Sequence, residues 1–279
     1  MLKLVNSSRV FEMIINSLHE AFVELNINHE VVYNYDKNDS NNVYLICTTH
    51  EHGDLPINYI SYNFEQLTSD IMFGDLLYER FKNAIMVFDY SLENVKFLKE
   101  KNINAHFLPF GYSKNMEYNN NDNQIRDIDV MFIGGINEKR HNKLNKIIKL
   151  YDNNLNKIFI STDCWGYNSM MVHTNSKICF NSHYYNGNTI LEVTRINSLI
   201  ANKVLVISER SHDSWYDSKY ENIVNFMNDD DSIDEYYLKV LNNYNFDEVQ
   251  RRYDEFKNNY KYVDYVKNIM SLIIQMKHY

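Results

Sequence analysis

"SKICFNSHYYNGNTILEVTRINSLIANKVLVISE", residues 176–209, sets two short apolar runs on either side of one amphipathic stretch. The runs at 176–183 and 204–208 are too short for buried helices and end in polar residues, so they read as strands. Between them, Ile196, Leu199 and Ile200 recur at helical spacing, which predicts a helix from about 188 to 202. A strand, a helix and a second strand joined by short connections form a parallel crossover, the unit of an α/β sheet.

The same alternation runs outward in both directions. Upstream, "DVMFIGG" and "KIFIS" read as strands around a basic amphipathic helix. Nearer the start, "MLKLVN", "EVVYNY", "NVYLICT", "INYISYN", "NAIMVFDY" and "NAHFLPF" read as strands, with helices expected at 8–26, 64–80 and 91–101. Order weakens at 114–128, where Asn crowds out anything that could be buried, and this stretch reads as an interdomain linker. The expected organisation is an N-terminal Rossmann-like domain at 1–113, that linker, and a C-terminal Rossmann-like domain at 129–279 whose last helix packs back on the first domain.

Composition limits the chemistry. A formal charge of -9, with no run of basic residues longer than two, argues against a nucleic-acid-binding surface. Three widely spaced cysteines, Cys47, Cys164 and Cys179, form neither a disulfide framework nor a paired metal motif and fit a reducing compartment. Neither a signal-like leader nor a transmembrane segment is legible, so the expected location is the cytoplasm.

In open α/β sheets, ligands bind beyond the carboxyl ends of the strands, which directs attention to the loops there. In "GGINEKR", 134–140, Gly134 and Gly135 permit close backbone approach, the following helix start favours an anion, and Lys139 and Arg140 complete a phosphate clamp. In the loop at 48–54, His50, His52 and Asp54 have the spacing H-x-H-x-D. That resembles the T-H-x-H-x-D-H motif of metallo-β-lactamase-like hydrolases, except that Leu55 stands in place of the last His. Asp127 and Asp129, and the triple Asp at 229–231, read as solvated segments.

The ordered set of motifs resembles a bacterial and giant-virus type of GT-B glycosyltransferase. The matching features are the strand ending in Asn181 to Tyr185, the helix with Leu191, Glu192 and Arg195, its end at Ala201 and Asn202, and the strand closing on Ser208 and Glu209. "YNFEQL" at 62–67, "FDYSLENVKFLKEKNINAHFLPFGYS" at 88–113 and "DVMFIGG" at 129–135 extend the resemblance over roughly residues 40–210. Lys203 departs from it, standing where a Gly often follows the Asn, and the E-x7-E motif is incomplete, which leaves retaining against inverting chemistry open.

The resemblance implies two Rossmann-like domains facing each other across a cleft, with a UDP- or GDP-linked sugar as donor substrate, no separate cofactor and no metal. It implies donor contacts from Gly134, Gly135, Arg140, His183, Tyr184, Glu192, Arg195, Ser208 and Glu209. His183 is also expected to support the leaving diphosphate. His52 and Glu65 are the candidates for receiving the acceptor's proton, and the acceptor is a glycan, a protein or a lipid-linked hydroxyl. The alternatives are a non-catalytic nucleotide-binding scaffold of the same fold and a metallohydrolase using His50, His52 and Asp54.

Overall fold

The computed structural model describes residues 1–47, 49, 52–67, 74–118, 125–151, 157–164 and 166–275. The chain divides into two compact units, Met1–Asn115 with Lys261–Tyr279, and Met116–Tyr260. The first contains β1 (Leu2–Val5), α1 (Glu12–Glu24), β2 (His29–Val32), β3 (Val43–Cys47), β4 (Tyr59–Asn63), α2 (Asp75–Asn83), β5 (Met86–Asp89), α3 (Leu92–Glu100) and β6 (Ala105–Phe107). The second contains β7 (Ile128–Ile133), α4 (Glu138–Ile148), β8 (Ile158–Ser161), α5 (Tyr167–Thr174), β9 (Ser176–Asn181), α6 (Val193–Ala201), β10 (Leu205–Glu209), α7 (Ser214–Tyr220), β11 (Asn225–Met227), α8 (Ile233–Asn242) and α9 (Phe246–Asn259). The chain then returns to the first unit as α10 (Tyr262–Asn268) and α11 (Met270–Gln275).

Every strand pair is parallel. The sheet orders are β2-β1-β3-β4-β5-β6 and β11-β10-β9-β7-β8. Renumbered within its own unit, the second order is 2-1-3-4-5 read from β8, and the first begins the same way. Both units therefore share one doubly wound topology, whose switch point lies between the first and third strands.

Central strands carry helices on both faces, so they are buried on both and mostly apolar. In β3, "VYLIC", all five residues are buried, as are all five in β4, "YISYN". Edge strand β8 is half-buried along its length. The core of the second unit gathers Phe132, Ile178, Phe180 and Ile207 from the sheet against Leu144 and Ile147 of α4 and Tyr237 of α8. In the first unit α10 lies on α1, and Tyr262 is buried with its hydroxyl 3.2 Å from that of Tyr62.

Of the helix expected at 64–80, the residues from Asp75 onward form α2, and 68–73 lie outside the described residues. Its predicted first turn is bent by side-chain amides: Asn63 and Asn94 both donate to the Glu65 carbonyl, and Leu67 N–H donates to Asn94. The helix expected from 188 starts at Val193, because the Thr189 carbonyl accepts from His212 and Asp213 in the loop after β10, which holds the preceding residues out of helix. The expected linker is partly structured. Met116 is buried, Tyr118 N–H donates to Asn202, and Arg126 donates to the carbonyls of His173, Ser176 and Asn202; residues 119–124 lie outside the described residues. Asp129 of the D-x-D pair is bonded to Lys177 at 2.6 Å. Among the described residues no helix is long and apolar enough to cross a membrane.

Candidate active site

The second unit's switch point lies between β7 and β9, whose connections leave toward opposite edges of the sheet. Beyond their carboxyl ends sit Gly134 to Asn137 and Ser182 to Tyr185. Gly134 has φ +146°, a conformation that favours glycine, and a Cβ there would lie 2.7 Å from the Arg195 guanidinium, which would have to shift. Its N–H donates to the Ser161 carbonyl at 2.9 Å and is therefore used inside the sheet. The N–H groups of Gly135 and Ile136, both exposed, have no protein acceptor among the described residues. Asn137 caps α4 by accepting from Arg140 N–H, and its amide donates to the Tyr184 carbonyl at 2.7 Å, joining the two loops.

Beneath these loops lies a buried charged lattice. Arg140, expected at the surface as a phosphate clamp, is 3% exposed. Its Nε donates to Ser182 O at 2.8 Å, Nη1 to Gly135 O at 2.7 Å, and Nη2 lies 3.6 Å from Glu192. Arg195 donates to the Asn181 side chain, and Asn181 donates to Glu192 and to Ser208, each at 2.9 Å. Burial, reinforced by Arg195, lowers the Arg140 guanidinium to about 10 although Glu192 opposes the shift. Burial pushes the Glu192 carboxyl up, but His183, Arg195 and Asn181 outweigh it and hold it at about 2. The lattice is thus a fixed ionic scaffold.

His183 belongs to the same scaffold. It is 2% exposed, with Nδ1 3.1 Å from Glu192 and Nε2 3.0 Å from the Arg210 carbonyl, so both ring nitrogens face protein acceptors. Glu209, expected to bind donor hydroxyls, instead accepts from Ser182 Oγ, His183 N–H and Lys143, while Ser208 is fully buried. What faces outward is Lys139, which reaches the Tyr185 carbonyl at 3.3 Å, and Tyr184, 43% exposed, its ring 5.1 Å from the Arg140 guanidinium and against Gly135. From sequence, Asn181 is named only as the end of a strand, with no role in the site, and Asn137 and Lys143 are not singled out. The polar residue that ends an otherwise apolar strand was the available signal for Asn181.

In the first unit the equivalent switch point lies between β1 and β3. His52 sits there, Nε2 3.2 Å from Ser7 Oγ and Nδ1 3.3 Å from the Tyr35 hydroxyl. Arg80 of α2 clasps its loop, donating to the carbonyls of Thr49, His52 and Gly53. Glu65 follows β4 at the same sheet edge. Asp54 turns to Lys37 at 2.7 Å, and Leu55 packs on Val5, Tyr44, Ile46 and Tyr59. His50 and Glu51 lie outside the described residues. Among those described, no group of three or more His, Cys, Asp or Glu side chains is placed to hold a metal.

No family model matches the chain. Two uncharacterized proteins of Acanthamoeba polyphaga mimivirus are similar to it. One is 27% identical over 215 residues, covering 75% of this chain and 68% of the relative; the other is 29% identical over 183 residues, covering 63% and 60%. The chain thus spans about two thirds or less of the length of these relatives. Among solved structures, HepE of Anabaena in complex with UDP and glucose superposes with a TM-score of 0.62 at 7% identity, over 98% of this chain and 99% of that one. An α-glucosyltransferase in complex with UDP and DNA gives 0.59 at 10% over 98% of each, and sucrose-phosphate synthase from Thermosynechococcus elongatus gives 0.58 at 11% over 99% and 98%. Two parallel doubly wound units, matched along nearly the whole chain by such structures, give this protein the fold of the GT-B glycosyltransferases.

Proposed function

We propose that the chain transfers a sugar from a nucleoside-diphosphate sugar, linked to UDP or GDP, to a hydroxyl acceptor. The observation that carries this reading is the pair of N–H groups, Gly135 and Ile136, that have no acceptor among the described residues, just before α4 and flanked by Lys139 and Tyr184 at a sheet switch point. Backbone donors, a helix start and an ammonium group together suit a diphosphate, whose charge grows as it leaves. In transfer, the bond from the anomeric carbon to the phosphate oxygen breaks, the acceptor oxygen takes its place on that carbon, and the acceptor's proton goes to a base. His52 is the base this reading favours, with Glu65 at the neighbouring strand end as the second candidate. Arg140, Glu192, Arg195 and His183 hold the two donor loops in register. In this reading no metal takes part, since the helix start and Lys139 meet the leaving charge.

Thermal shift with UDP, GDP and the matching nucleosides in EDTA, followed by donor hydrolysis across a panel of nucleotide sugars, tests the proposal. A diphosphate should stabilise the chain well beyond its nucleoside, and one donor should be turned over. Stabilisation without turnover of any donor marks a nucleotide-binding scaffold. Activity lost to the chelator marks a metal enzyme, and no response to either diphosphate removes the reading.

A further inference from the structure

The hydrogen bonds around His52 fix which ring nitrogen is basic. Tyr35 has one hydroxyl proton, and it goes to the Asp54 carbonyl at 3.1 Å. Toward His52 Nδ1, 3.3 Å away, the phenol oxygen is therefore an acceptor, which requires Nδ1 to carry a proton. A neutral ring protonated at Nδ1 leaves its lone pair on Nε2, and Nε2 lies 3.2 Å from the Ser7 hydroxyl, which donates to it. Burial, with Asp54 adding to it and Arg80 opposing, raises the Tyr35 pKa, so the phenol keeps its proton at neutral pH. The backbone under the ring is fixed separately by the Arg80 clasp on the Thr49, His52 and Gly53 carbonyls.

We propose that Tyr35 is a positioning residue that holds His52 in the Nδ1–H tautomer, and that the Ser7 hydroxyl marks where the acceptor hydroxyl sits on Nε2. The inference rests on the glycosyltransferase reading for its chemistry, while the tautomer itself does not. On transfer the acceptor's O–H proton moves to Nε2 as its oxygen bonds the anomeric carbon and the nucleoside diphosphate departs with the electron pair of the broken bond. The Nδ1 proton stays on Nδ1, donated to the Tyr35 oxygen, throughout. A serine placed beside a basic nitrogen at the switch point occupies the space a sugar hydroxyl would need, and its exposed position lets it be displaced.

Two measurements on the full chain test this. In 15N-histidine-labelled protein above neutral pH, with His52→Asn supplying the assignment, Nε2 should be unprotonated in the wild type, and Tyr35→Phe should give a mixture of tautomers. For whichever of UDP-glucose, UDP-galactose and GDP-mannose the wild type hydrolyses, with water as acceptor, Tyr35→Phe should lower kcat about fivefold, the bias one neutral hydrogen bond supplies. The donor KM should stay unchanged. A wild-type ring protonated at Nε2, or a Tyr35→Phe variant with an unaltered tautomer, overturns the inference. If the wild type hydrolyses none of the three, the transfer reading loses support, and the spectrum alone decides the tautomer.

Discussion

Lys139 and Arg140 are adjacent basic residues with opposite surroundings. Arg140 is enclosed, its donors committed to two carbonyls and its charge set against Glu192. Arg140→Ala strands the two buried carbonyls, while Glu192 keeps His183 and Asn181, so it should cost on the order of 3 kcal/mol of stability, read as a shift in the urea midpoint. Lys139→Ala should leave the midpoint nearly unchanged yet weaken diphosphate binding by about 1.5–3 kcal/mol relative to the nucleoside, read by calorimetry. A second prediction follows from two buried ionisable groups of the same unit. Burial, together with Arg195 and Arg126, lowers His173 to about 3, so between about 6.5 and 3 the unfolded chain binds a proton that the folded chain does not. Stability should therefore fall as pH drops through that window, by on the order of 4 kcal/mol in total. Glu192, held at about 2, is stabilising above its ordinary value near 4.5 and adds a loss only below it. Urea midpoints against pH should show the fall between 6.5 and 4.5 flattened in His173→Asn, with the steeper acid limb retained. At this scale the sequence identifies which residues gather: Gly134, Gly135, Arg140, His183, Glu192, Arg195, Ser208 and Glu209 all meet at one end of one sheet. It does not tell which of them face outward, because that depends on which backbone carbonyls the neighbouring loops present, and those come from segments far apart in the chain.

Three helices end in the same way. Asn26, Asn102 and Lys203 have φ of 54°, 61° and 58°, and each is followed by a buried apolar residue, Ile27, Ile103 and Val204. Ile27 N–H donates to Phe22 O, Ile103 to Leu98 O and Val204 to Leu199 O, the six-to-one bond of a Schellman ending. Such positions favour glycine, and this glycine-poor chain uses asparagine twice and lysine once. At exposed Asn102 the substitution to Ala should cost about 1 kcal/mol, and substitution to Gly should be neutral or better, measured by urea unfolding. The alternation of apolar runs places ten of the eleven strands among the described residues near their observed positions, since a strand buried on both faces has a strong local signature. Helix starts were less legible. At 64–67 and 188–192 side-chain amides and a neighbouring loop's backbone take over hydrogen bonds that a helix would need, and α5 and β11 are too short and weakly patterned to stand out.

Across the whole molecule, one topology is used twice. Both sheets are parallel and share the order 2-1-3-4-5, the first adding a sixth strand, and in each the switch point carries the unusual polar residues: His52 and Ser7 in the first unit, Gly134 to Arg140 with His183 in the second. The first unit is completed by α10 and α11, which the chain reaches only after the second unit is finished, so that unit is assembled from two separate stretches of the sequence. On the proposed function, the second unit's switch point binds the nucleoside diphosphate. Hydrogen–deuterium exchange of the full chain in EDTA, with and without UDP or GDP, tests it most directly. Slowed exchange is expected at 134–140 and 182–185, lost in Lys139→Ala. Protection confined to the loop after β3, or no protection anywhere at saturating nucleotide, would contradict it.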